Sequence, residues 1–199
     1  MVYRNLVKAL LVASTVYASM SYQASAGPAA GLARPLRTAP PAAFITASRF
    51  TLAPFAFVRF CRDNLQDCAA TKGETLVELD ASRRAELARI NASVNRAIRP
   101  VNDKGDADVW RVDVSAGDCE DYALTKRRHL IAAGWPAGSL RIAVAKTSAG
   151  EGHAVLVVKT SQGDLVLDNR SNSIRTWNRT DLIWLKIQSP DNPRIWLDI

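Results

Sequence analysis

The sequence predicts an α+β domain in which N-terminal helices pack on an antiparallel sheet. Three observations predict it. Apolar residues recur with helical spacing at Leu87, Ile90, Val94 and Ala97-Ile98. A second helix opens within Gly117-Asp118-Cys119-Glu120-Asp121-Tyr122-Ala123 and stops at Gly134 and Pro136. Past Trp135 the period changes to alternation and short apolar runs separated by glycine-bearing turns. Helices followed by strands give an α+β domain with the Cys119 helix packed on the sheet.

Residues 1–26 have the plan of a secretory signal peptide. Arg4 and Lys8 are followed by an apolar stretch from Leu6 to Val16 and a small-residue cleavage signal, Ala24-Ser25-Ala26. An anchoring helix is the weaker reading, because Ser14, Thr15, Ser19 and Ser21 break a run short of the roughly 20 residues needed to span a bilayer. No later stretch is long and apolar enough either. The expectation is an exported periplasmic or secreted protein that starts near Gly27 and does not span a membrane after signal removal. Residues 27–47, with Pro28, Pro35, Pro40 and Pro41, read as a flexible Ala/Pro-rich lead-in, and residues 48–199 as one domain.

Removing Arg4 and Lys8 from the net charge of +7 leaves +5, carried by scattered residues. With no nucleic-acid motif, this reads as solvated surface charge that favours anionic surfaces only weakly.

The domain begins with an aromatic-rich stretch, Phe55 to Phe60, running into Cys61, with Cys68 beyond a polar, turn-like segment. In an oxidising compartment two close cysteines are most simply a disulfide; a zinc pair lacks a second pair of ligands nearby. The helix over Asp80 to Ile98 ends at Pro100, and Asn91 and Asn95 lie beside its apolar stripe, either bonding to loops or facing solvent. Residues 101–116 lack periodicity, contain Asp103, Asp106, Asp108 and Asp113, and read as a loop feeding the Cys119 helix.

In that helix Asp118 is the expected N-cap and Asp121 stands at the capping-box position, so Cys119 is the first helical residue. There the macrodipole favours a thiolate. A lone cysteine is most often a small buried hydrophobe. However, three cysteines less one local pair leave Cys119 free, and a free thiol in an exported chain needs a reason.

Strands follow over Ser139 to Thr147, His153 to Val158 and Leu165 to Asn169. If the second hairpin pairs Lys159 with Asp164, Val155 lies opposite Asp168, and His153 is diagonal to Asp168 on the same face. Such diagonals are about 7–8 Å apart, and a one-residue slip would part them. The constellation is a thiol at a helix N-terminus, an imidazole and a carboxylate, the parts of nucleophilic thiol catalysis. Cys119, His153 and Asp168 are the candidate catalytic residues, the backbone N–H of Cys119 is one candidate oxyanion donor, and Trp110, Asn91 and Asn95 are weaker candidates for a second. The other histidine, His129, follows Lys126-Arg127-Arg128 and reads as solvated.

The segments Gly117 to Ala123, Gly152-His153-Ala154-Val155-Leu156 and Leu165-Val166-Leu167-Asp168-Asn169 resemble the bacterial transglutaminase-like cysteine proteinases. The resemblance runs from about Phe50 to the C-terminus and includes Cys61, Cys68 and the closing Ser189 to Trp196. It implies a papain/transglutaminase-like fold and a Cys119-His153-Asp168 triad. The family includes periplasmic LapG-type proteases, which clip surface adhesins and so release cells from biofilms. For this chain the resemblance therefore implies a protein substrate at the cell surface, such as an adhesin, and an inner-membrane regulatory receptor. It also implies calcium, held by Asp118, Glu120 and Asp121, with Asp103, Asp106 and Asp108 as further ligand candidates. Acids beside a nucleophilic thiol raise its pKa, and a bound cation offsets that charge; simple helix capping is the competing role for the same acids. The functional reading is an exported thiol endopeptidase working through an acyl-enzyme. Its alternatives are transglutaminase-type acyl transfer, a cell-wall endopeptidase and a non-catalytic calcium-dependent binding module.

Overall fold

The computed structural model describes residues 41–103 and 108–199; the expected signal peptide and most of the lead-in lie outside the described residues. Three helices occupy the first part of the domain: α1 (Phe55–Asp63), α2 (Ala81–Ala97) and α3 (Cys119–Ala132). The sheet strands are β1 (Phe50–Thr51), β4 (Leu140–Lys146), β5 (Gly152–Thr160), β6 (Gly163–Leu167), β7 (Arg175–Thr176), β8 (Ile183–Gln188) and β9 (Trp196–Asp198), in the order β1-β9-β8-β4-β5-β6-β7. Every neighbouring pair in this sheet is antiparallel. A separate parallel pair joins β2 (Arg99–Pro100) to β3 (Ala116–Gly117). The fold is α+β, as expected, but with seven sheet strands where sequence periodicity picked out three.

The near-continuous apolar run of β5 has a plain cause, since both faces of the sheet are covered. Leu156 and Val158 join the helix-side core with Ile142, Leu165, Leu87 and Leu130. Val155 and Val157 face the other side, where Ala143, Ala145, Val166, Ile187 and Leu182 close a second core. Burying each such side chain contributes about 1.5–3 kcal/mol relative to leaving it exposed.

That second core corrects the expectation of a loose lead-in as far as residue 47. Ile45 is buried in it, and its N–H donates to Asp164 Oδ2 at 2.7 Å. The other carboxylate oxygen of Asp164 accepts Arg141 Nη2 at 2.8 Å, and both partners are almost wholly buried. Gly163 has φ +105°, and a Cβ there would lie 2.6 Å from Ala43 O, so only glycine lets the strap approach the hairpin turn.

The helices have local signatures. Asp80 caps α2 by accepting the N–H of Arg83 at 2.7 Å. Gly134 (φ +83°) ends α3, with its N–H bonded to Ile131 O and that of Trp135 to Leu130 O, the two bonds of a Schellman motif. The aromatic-rich stretch is helix α1, and the segment between the cysteines, read as a turn, carries helix to Asp63 and a 3-10 turn over Leu65–Cys68. Cys61 and Cys68 are joined by a disulfide. The basic run in α3 is not a solvated face. Lys126 and Arg127 are buried, Arg127 donating to Leu140 O and Asp67 O, and only His129 is substantially exposed. Among the described residues no helix is long and apolar enough to cross a membrane.

Replacing Asp164 by alanine leaves Arg141 buried without its partner and frees the Ile45 strap. We expect a loss of about 3–5 kcal/mol in urea unfolding, the usual cost of breaking a buried pair.

Candidate active site

β2 and β3 bring the start of the 101–115 loop beside the start of α3. Val101 N–H donates to Gly117 O at 2.9 Å, and Asp103 N–H to Asp118 Oδ2 at 3.2 Å. Gly117 is packed so closely against the Asp121 side chain that any Cβ would collide with it. Cys119 thereby becomes the first residue of α3, as the sequence predicts, and its N–H has no acceptor within the helix. The capping differs from the expectation. Asp118 occupies the N-cap position without a side-chain bond to the first turn, and its Oδ2 accepts the N–H of Asp103. Asp121 accepts the N–H of Arg111 instead, through Oδ1 at 2.7 Å.

α3 packs on β5, so the thiol meets the strand that carries the histidine. Cys119 Sγ accepts the N–H of Ala154 at 3.3 Å and donates to Glu120 Oε2 at 3.2 Å. In the β5–β6 hairpin Lys159 pairs with Asp164 and Leu156 with Leu167, the register that aligns Asp168 with Val155. His153 Nε2–H donates to Asp168 Oδ1 at 2.9 Å, which leaves Nδ1 free of that contact. Cys119 and His153 line one cleft of about 630 Å³.

The surrounding charges are unequal in effect. Burial would raise the Asp168 carboxyl, but hydrogen bonds from His153 and Arg170 outweigh it and hold the group below the usual carboxylate range. Burial first, and then the Glu120 carboxylate, pushes the Cys119 thiol well above its ordinary value, with only the Ala154 N–H working strongly the other way. The acids and the apolar packing therefore outweigh the helix terminus, which on its own favours a thiolate. Burial and the nearby Asp118 raise Glu120 to about 8, and burial raises Asp121 to about 6.

Carboxylate oxygens of Asp103, Asp118 and Glu120 converge within 4.8 Å of one another. Of the three acids expected to hold a cation, Asp118 and Glu120 thus stand together with Asp103, while Asp121 bonds the N–H of Arg111 through Oδ1 and its buried Oδ2 has no partner among the described residues. Asp108 accepts the indole N–H of Trp110 at 2.8 Å, and Asp106 lies outside the described residues. That bond also uses the donor of Trp110, a candidate for the second oxyanion group. Asn91 and Asn95 are likewise committed elsewhere: Asn91 donates to Asn172 O, and Asn95 to Asp168 O and Asn172 Oδ1, so both hold the loop after β6.

Two residues passed unnoticed in the sequence. Arg170 lines the cleft and bonds Asp168 through its side chain; its position two residues past the candidate acid was the available signal. Lys126 is fully buried on α3 with Nζ unpartnered among the described residues, and burial lowers it to about 7. Nothing local distinguished it from its basic neighbours.

The family profile of the bacterial transglutaminase-like cysteine proteinases matches residues 47–199. Among solved structures, the chain is similar to calcium-bound LapG of Legionella pneumophila, with 27% identity and a TM-score of 0.52 over 57% of this chain and 68% of that one. It is also similar to the EGTA-treated form of the same protein, with 28% identity and a TM-score of 0.51 over 57% and 66% of the two chains. No curated protein matches the chain.

The raised carboxyls give a signed expectation. Between about 4.5 and 8 the folded protein retains on Glu120 a proton that the unfolded chain releases, and Asp121 adds the same effect between about 3.8 and 6. Stability therefore falls as pH rises through that window. In chelator-containing buffer, urea midpoints should decline from pH 5 to pH 8, and Glu120→Gln should flatten most of the slope above pH 6.

Proposed function

The chain belongs to the bacterial transglutaminase-like cysteine proteinases, hydrolases of protein substrates, and from that premise we propose that Cys119, His153 and Asp168 are its catalytic triad. The observation that carries the reading is the His153–Asp168 hydrogen bond at the cleft that also exposes the Cys119 thiol. Asp168 holds the imidazole with its proton on Nε2, so Nδ1 is the basic atom. Nδ1 takes the thiol proton as sulfur attacks the scissile carbonyl carbon. The oxyanion that forms accepts the backbone N–H of Cys119. The imidazolium then protonates the leaving amine, the C–N bond breaks, and a thioester remains on Cys119. Water, deprotonated by His153, attacks that thioester and releases the acid and the thiol.

The donor set fits calcium. Three carboxylates converge, and Asp118 Oδ1 is buried with no hydrogen-bond partner among the described residues, an arrangement that like charges disfavour without a cation. LapG of Legionella pneumophila is a calcium-bound relative. Asp103, Asp118 and Glu120 are the residues that would hold the ion, and its charge, when bound, offsets the carboxylates that oppose the thiolate.

Export through the 1–26 signal, action in the periplasm or at the cell surface, an adhesin substrate and an inner-membrane receptor complete the proposal. They are supported by the leader-like sequence and by the likeness to LapG.

Iodoacetamide labelling tests the core of it. In calcium-containing buffer Cys119 should alkylate near neutral pH, His153→Ala should slow it by about 10²-fold or more, and a thiol that reacts only after denaturation would overturn the reading. For the substrate, cell-surface proteins of the producing bacterium should gain new N-termini with the wild-type protein and none with Cys119→Ala. Calcium should raise the unfolding temperature, by about 2.7 kcal/mol of stability at a hundredfold excess over Kd. Asp118→Asn and Glu120→Gln should abolish that rise, while Asp121→Asn retains it.

A further inference from the structure

Asp168 lies one residue past the end of β6, so the sheet ladder no longer fixes it. Its backbone is pinned from α2, where Asn95 Nδ2 donates to Asp168 O at 3.1 Å. Its carboxylate is pinned by one residue apart from the histidine. Oδ1, which accepts His153 Nε2–H, also accepts the backbone N–H of Arg170 at 2.9 Å. Oδ2 accepts Arg170 Nε at 3.0 Å and Nη2 at 2.8 Å. The guanidinium is fixed in turn by Asp181, whose Oδ1 accepts Nη2 at 2.8 Å and whose Oδ2 accepts Nη1 at 3.1 Å. A planar fork held on two edges leaves the Asp168 carboxylate little freedom to rotate.

We propose that Arg170, braced by Asp181, is the positioning residue that aims Asp168 at His153. The proposal rests on the triad reading above. Arg170 lines the cleft, but two carboxylates already match its charge, so its role is orientation of the acid and not recognition of an anionic substrate. The other titratable groups facing Asp168 are the His153 imidazole on β5 and the Lys126 side chain on α3. Lys126 makes no hydrogen bond among the described residues, so it supplies charge without direction. The fork supplies the direction, as do the residues that orient metal-bound histidines, whose loss typically costs about 10–100-fold.

The test uses iodoacetamide and the imidazole ¹⁵N spectrum of His153, both across pH in calcium-containing buffer. Arg170→Gln should slow Cys119 alkylation at pH 7 by about tenfold or more and replace a single Nε2–H tautomer of His153 by a mixture. Arg170→Lys, which keeps the charge and loses the fork, should fall between Gln and wild type. Asp181→Asn, at an exposed site, should give a smaller loss in the same direction. Wild-type alkylation and a wild-type tautomer in Arg170→Gln would overturn the proposal; should that variant not fold, the same result in Arg170→Lys and Asp181→Asn overturns it. His153→Ala separates the two readings. If it leaves alkylation unchanged, the triad fails; if it slows alkylation while the Arg170 and Asp181 variants do not, only the positioning role fails.

Discussion

Lys159 pairs with Asp164 across the β5–β6 hairpin, and the alignment of Asp168 with His153 follows from that register. It sets Asp168 level with Val155, two residues along from His153 and on the same face of the sheet. A slip of one residue would carry the carboxylate to the opposite face. α3 packs on the same strand, and one backbone N–H of β5 reaches the Cys119 sulfur. That N–H is Ala154, the neighbour of the histidine. Sheet register and helix placement thus converge on one point.

Asp164, at the turn end of that register, is also a fully buried carboxylate. Asp164 is satisfied by Arg141 across the sheet and by the N–H of Ile45 from the N-terminal strap. A buried carboxylate tolerates no alternative pairing that strands it without these donors. Gly163 admits the strap where a side chain would exclude it. The turn end of the hairpin therefore enforces, along the same face, the alignment that the cleft end needs.

At the cleft itself the charges pull in opposite directions. Asp103, Asp118 and Glu120 crowd one side of the thiol and disfavour its ionisation, as burial does. On the other side Arg170 keeps Asp168 ionised and pointed at the imidazole, and Lys126 adds positive charge from beneath. Among the described residues the acidic side is matched by a single guanidinium, Arg111, whose Nη2 donates to Asp103 Oδ1 at 2.9 Å, against three carboxylates. That imbalance is the physical reason a divalent ion suits the donor set there, and the histidine side needs none.

The sequence by itself determined the periodic and the local features: the α2 helix, the start of α3 at Cys119, the stop at Gly134 and the three central strands. Each is set by contacts within a few residues, or by the period or length of an apolar run. It left β1, β7 and β9 unread, because strands of two or three residues are too short to show a period, and it left β8 unread although Ile183, Leu185 and Ile187 alternate there. Tertiary structure alone decided which acids converge. Asp103 joins Asp118 because β2 and β3 pair across a loop of unpatterned sequence, while Asp121, one turn into α3, is drawn off by Arg111. It also buried Lys126 and Arg127 in a run that reads as a charged surface, and it folded Ile45 of a proline-rich lead-in onto the sheet. Long-range packing sets these outcomes, since burial depends on what covers a residue and local pattern records only what it is.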